Sequence, residues 1–167
     1  MSVSSHVLSS KAPPAPSWRF TLVSLLGASL AIALVGWLST VSGAAWLMAP
    51  FGASCVLAFG LPDSPLAQPR SMVGGHVITT LVGLLVLHIC GSAWWSGALA
   101  VGVALAAMQQ TRTVHAPAGA NPLVVMAVQP GWGFLLTPVL VGSLVIVAVA
   151  WGVNNARARG SYPRYWL

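Results

Sequence analysis

The residues best suited to chemistry in this chain fall in one short segment, Thr111-Arg112-Thr113-Val114-His115-Ala116-Pro117-Ala118-Gly119-Ala120-Asn121-Pro122. Arginine attracts anions, histidine changes charge near neutrality, and the asparagine amide offers both a donor and an acceptor. Arg112 could draw an anion to a mouth, or simply anchor the chain at a surface. His115 could gate, donate to a substrate or titrate; capping the local backbone would serve it equally well. Asn121 could hold a ligand or satisfy the backbone broken by Pro122.

The segment has an echo. Ala49-Pro50-Phe51-Gly52-Ala53-Ser54 matches Ala116-Pro117-Ala118-Gly119-Ala120-Asn121 as A-P-x-G-A-(S/N), which makes Ser54 the counterpart of Asn121. His76, after Gly74-Gly75, lies about a turn into another apolar stretch and is a further candidate. The candidate substrate-binding set is therefore Pro50, Gly52, Ala53, Ser54, His76, Arg112, His115, Ala116, Pro117, Gly119, Ala120 and Asn121. Asp63, the sole acid, reads as a loop ion-pair partner beside Arg70 or as a turn cap, with a proton-coupling role as the alternative. No carboxylate neighbours a histidine, so no base–nucleophile pair is evident and no enzyme is expected. Cys55 and Cys90 lie in apolar runs without ligand-spaced neighbours, which implies neither a metal nor a cofactor.

The elements that must position these residues are membrane spans. Of the 167 residues, 57% are hydrophobic and 5% charged, where a soluble domain carries about a quarter charged. The chain cannot cover a soluble surface. Its formal net charge of +6 comes from seven bases scattered between apolar runs, with no basic stripe, so no nucleic-acid partner is expected.

After a Ser/Pro/Ala-rich leader over residues 1–17, six apolar stretches follow, at about 20–41, 44–61, 71–90, 93–111, 114–129 and 133–153. A basic, aromatic tail covers 154–167. The second and fifth stretches are broken by proline and glycine. The expected fold is an all-α polytopic bundle of six spans, built as a 3+3 inverted repeat over about 20–90 and 93–153. Four spans with two re-entrant hairpins is the alternative. Six crossings place Lys11, Arg19, Arg70, Arg112, Arg157, Arg159 and Arg164 on one face, which satisfies the positive-inside bias and makes both termini cytoplasmic. Four crossings would put Arg70 and Arg112 outside.

Irregular backbone survives in a bilayer only when buried in protein or lining a polar cavity. Each A-P-x-G-A motif would start a short helix whose free N–H groups point inward, and an inverted pair would bring two such ends together as an anion site. The competing reading is a packing kink, with small residues such as Gly74, Gly75, Gly83 and Gly142 forming helix seams.

The runs M-A-P-F-G-A-S, L-P-D-S-P-L-A-Q-P-R with G-G-H, T-R-T-V-H-A-P-A-G-A-N-P and Y-P-R-Y-W resemble the HPP family of integral membrane proteins, from about residue 18 onward. His115-Ala116-Pro117 stands where the family has His-Pro-Pro. The resemblance implies transport of a small inorganic anion such as nitrite, and family descriptions count four helices rather than six. The expectations are thus a homo-oligomeric anion transporter in a bacterial inner membrane, with a non-transporting assembly protein as the alternative.

Overall fold

The computed structural model describes residues 12–166. Most of the expected leader, including His6 and Lys11, lies outside the described residues. Within them the chain is all helical. Helix α1 spans Trp18–Ser42, and Ser17 caps its start by accepting from the Phe20 N–H at 3.3 Å. Helix α2, Ala49–Cys55, starts with Pro50 in its first turn, where no N–H is missed, and widens into a π turn over Val56–Gly60. Helix α3 is Pro69–Cys90 and α4 is Trp94–Gln110. The second motif forms a tight 3-10 turn over Ala116–Ala120 and then helix α5, Asn121–Val128. Irregular turns over 132–140 lead into α6, Val141–Arg157.

Three helical stretches, Trp18–Ser42, Pro69–Cys90 and Trp132–Arg157, are long and apolar enough to cross a membrane. The broken pieces are shorter. Ala49–Gly60 rises only about 18 Å at ~1.5 Å per residue, against a hydrocarbon core of about 30 Å.

Polar contacts sort the helix ends into two groups. The Arg157 guanidinium stacks 3.9 Å over the Phe20 ring, and Arg70 donates to the Thr111 carbonyl at 2.9 Å. Tyr162 donates to the Ala67 carbonyl at 2.8 Å, and Arg164 pairs with Asp63 at 2.5 Å. The starts of α1 and α3 and the ends of α2, α4 and α6 therefore share one end of the bundle. The arginines at 19, 70, 112, 157, 159 and 164 gather there. At the other end Ser92 donates to the Met126 carbonyl at 2.9 Å, and His88 meets Trp132. Asp63 does not pair with Arg70, its neighbour in sequence; Arg70 instead caps the last carbonyls of α4 and its loop, Thr111 and Arg112.

Glycine sets how closely the broken segments dock. A Cβ on Gly75 would lie 2.7 Å from the Cβ of His115 and 3.5 Å from that of Ala118. A Cβ on Gly142 would lie 2.5 Å from the Phe51 ring. Ala118 is the motif counterpart of Phe51, and Gly142 takes the place of Gly75 in the same alignment. Helices α3 and α6 thus each receive a broken segment at a glycine, which lets backbones approach where lipid provides no hydrophobic drive. Of the expected glycine seams, Gly83 against α5 and Gly142 against α2 lie between helices, whereas Gly74 and Gly75 face Thr113 and His115 in the loop before the 3-10 turn.

The ends of the broken segments need partners because their last carbonyls lie inside the bundle. Asn154 donates to the Ala58 carbonyl at 3.0 Å, and Ser24 donates to that of Phe59 at 2.7 Å. Arg157 reaches both Phe59 and Ser24. At the basic end, burial pushes the Tyr162 phenol above its usual pKa, so the hydroxyl that holds Ala67 stays protonated.

Candidate functional site

The two motifs meet around four polar side chains, Ser54, His76, His115 and Asn121, each with no exposed surface. They arrive from four places. Ser54 is on α2, His76 on α3, His115 just ahead of the 3-10 turn, and Asn121 at the first position of α5. His76 lies about 10 Å along α3 from Pro69, at ~1.5 Å per residue. The cluster is therefore inside the bundle and nearer its basic end.

The hydrogen bonds form one chain. Ser54 Oγ lies 2.8 Å from His76 Nε2 and 2.8 Å from His115 Nε2. His115 Nδ1 is 2.7 Å from the Leu66 carbonyl. Asn121 Nδ2 is 3.0 Å from His76 Nδ1, 3.1 Å from the His76 carbonyl and 2.9 Å from Thr80 Oγ1. Chemistry fixes the orientation of each group. A carbonyl only accepts, so His115 Nδ1 carries a proton, and the Asn121 atom facing the His76 carbonyl is its nitrogen. An amide NH2 only donates, so His76 Nδ1 accepts, and a neutral His76 holds its proton on Nε2. Ser54 then accepts from His76 and donates to His115, with the Pro50 carbonyl at 2.9 Å as a second acceptor.

The rings are braced as well. Phe51 meets His76 edge-on with centroids 5.1 Å apart, and His76 meets His115 at 5.0 Å. One atom of the cluster is left over: Asn121 Oδ1 is buried without a hydrogen-bond partner. A buried unpaired acceptor costs about 1–3 kcal/mol, so it marks a place where a donor can be gained.

The candidate residues divide. Pro50 and Pro117 are buried beside the cluster, and Ser54, His76, His115 and Asn121 compose it. Gly52, Ala53, Ala116 and Ala120 are exposed on the outer side of their segments, and Gly119 is partly so. A Cβ on Gly52 or Gly119 would meet nothing within 4 Å. Those small residues do not line the cluster. Arg112 is exposed at the basic end, in a left-handed conformation with φ 58°, and its carbonyl accepts from Arg70. The second motif does not open directly into an α-helix either: two prolines five positions apart, Pro117 and Pro122, favour a 3-10 turn first, and α5 starts at Asn121.

Sequence reasoning did not single out Thr80, Leu66, Asn154 or Ser24. Thr80 is one turn beyond His76, a spacing that could have flagged it. The others act through carbonyls or caps that only the folded chain defines. A cavity of about 580 Å³ between α1 and α2, lined by Ser24, Ala28, Cys55 and Phe59 among others, includes none of the four cluster residues. Among the described residues no group of three or more histidine, cysteine or acidic side chains could hold a metal ion.

Long apolar helices, a basic end and a polar cluster sealed between two broken segments define an integral membrane helical bundle. The chain belongs to the HPP family, whose transmembrane region matches residues 13–163. Two proteins of Dictyostelium discoideum described as transmembrane proteins are similar to it. One is 38% identical over 72% of this chain and 45% of its own length. The other is 36% identical over 90% of this chain and 50% of its own length. The chain spans about half the length of these curated relatives. No solved structure matches it.

Proposed function

We propose that the chain is a permease for a small monoanion, with nitrite the first substrate to test, and that the Ser54–His76–His115–Asn121 cluster is where the anion is handled. The observation that carries this reading is the cluster itself. Buried polar groups in a membrane protein are costly and commonly mark ion or substrate paths. Here they come from both broken segments and from α3 between them. The cluster is closed to both ends, so an anion reaches it only when the motifs part.

Six crossings with the basic end cytoplasmic form part of the same reading. Arg70 and Arg112 share an end with Arg157 and Arg164, as the positive-inside bias requires of six crossings. The reciprocal docking at Gly75 and Gly142 favours two halves of inverted sense. Single cysteines beside Arg70 and Arg112 are expected to label only from the side that labels the C-terminal tail. Labelling from the opposite side would sink the six-crossing arrangement.

Binding can be read at the rings. Nitrite titrated into protein with 15N-labelled histidine is expected to shift the His76 and His115 ring nitrogens saturably and leave His88 in place. Shifts confined to His88, or none at all, would remove the cluster from the anion path.

A further inference from the structure

We propose that Ser54 bridges His76 and His115 into a proton relay, so that a proton accompanies the anion across the membrane. This rests on the permease reading and adds a second cargo to it. The groups stand in a single file of hydrogen bonds, each with a defined direction: Asn121 N–H to His76 Nδ1, His76 Nε2–H to Ser54 Oγ, Ser54 Oγ–H to His115 Nε2, and His115 Nδ1–H to the Leu66 carbonyl. Heavy-atom separations of 2.7–3.0 Å along the file are hydrogen-bond distances at which protons hop. Leu66 lies in the loop between α2 and α3, at the end that carries the arginines. The file therefore runs from the interior toward that end.

The step balances. A proton taken up at His76 Nδ1, once the Asn121 amide swings away, makes His76 an imidazolium. His76 then gives its Nε2 proton to Ser54 Oγ as Ser54 passes its own proton to His115 Nε2. The serine hydroxyl is unchanged, His76 is neutral again, and His115 is the imidazolium. His115 Nδ1 gives its proton to bulk water at the Leu66 end once that carbonyl parts from it, and rotation of the Ser54 hydroxyl and the two rings resets the file.

A relay meets the electrostatic need of the site. A monoanion buried alone in low dielectric is strongly unfavourable. An imidazolium beside it makes the loaded site neutral, and among the described residues no other cation hydrogen-bonds to the cluster. On the packed elements the titratable or charged groups are Cys55 on α2, Asp63 in the α2–α3 loop, which is paired with Arg164, Arg70, His88 and Cys90 on α3, Arg112 in the loop after α4, and Arg157 at the end of α6. None of them hydrogen-bonds to Ser54, His76, His115 or Asn121. Among the described residues Ser54 is the only hydrogen-bonded link between the two rings, because each ring turns its Nε2 to the same oxygen.

The test uses purified full-length protein in proteoliposomes with a lumenal pH dye, nitrite or formate outside, and protein-free vesicles as background. Anion uptake with about one proton per anion is expected. Ser54→Ala should reduce coupled uptake at least tenfold, and Ser54→Thr, which keeps a hydroxyl, should restore most of it; both should elute as the parent does on size exclusion. Anion uptake without proton movement, or Ser54→Ala at parental proton flux, overturns the relay and leaves the permease standing. Proton movement through Ser54 without any anion keeps the relay and overturns the permease. Movement of neither overturns both.

Discussion

His115→Ala is expected to bring anion flux down to the protein-free background while the bundle stays folded. Among the described residues the imidazole is the only side chain that hydrogen-bonds the second motif both to α2, through Ser54, and to the Leu66 loop. Without it Ser54 keeps the Pro50 carbonyl as an acceptor, so α2 loses little. The Leu66 carbonyl loses its partner, at a cost of about 1–3 kcal/mol. That is a visible drop in thermal stability, yet far less than the helical backbone bonding that holds the bundle together. His88→Ala, at the opposite end beside Trp132, should leave flux unchanged. Uptake assays on both variants, with size exclusion and thermal melts in detergent, separate the two effects. Normal flux in His115→Ala would remove the cluster from the transport path.

Gly142→Leu is expected to abolish folded protein rather than transport alone. Even a methyl group at position 142 would lie 2.5 Å from the fully buried Phe51 ring, which is itself held edge-on to His76. Overpacking of this kind costs about 1–3 kcal/mol for modest additions, and a leucine adds more than the ring can yield. The three atoms nearest the added carbon at position 142 all belong to the Phe51 ring. Phe51→Ala combined with Gly142→Leu should therefore recover part of the loss. Thermal melts in detergent measure this, and a Gly142→Leu variant as stable as the parent would show that α6 does not depend on the close approach.

Much of this was legible before folding. Sparse charge and long apolar runs announced the membrane, and the arginines at 70 and 112 foretold which ends gather together. The A-P-x-G-A pair located the broken segments, and Ser54, His76, His115 and Asn121 were all among the candidates. What sequence could not supply was their junction. Ser54 is 22 residues from His76 and 61 from His115, and no periodicity connects such separations. It also weighed motif membership too heavily: Gly52, Ala53, Ala116 and Ala120 share the pattern with the cluster residues but face outward. A short 3-10 turn or α-helix shows only some of its residues to any one neighbour. The partner of Asp63 was equally hidden, because Arg164 is brought back by the Tyr162 and Gln68 contacts of the tail.

The most direct measurement of the central claim is anion flux into proteoliposomes holding the purified protein, comparing nitrite with nitrate, formate and chloride. Protein-dependent uptake of nitrite, faster than that of chloride, is the predicted result. No flux of any of the four anions from well-folded protein, with and without a pH gradient, would contradict the permease reading.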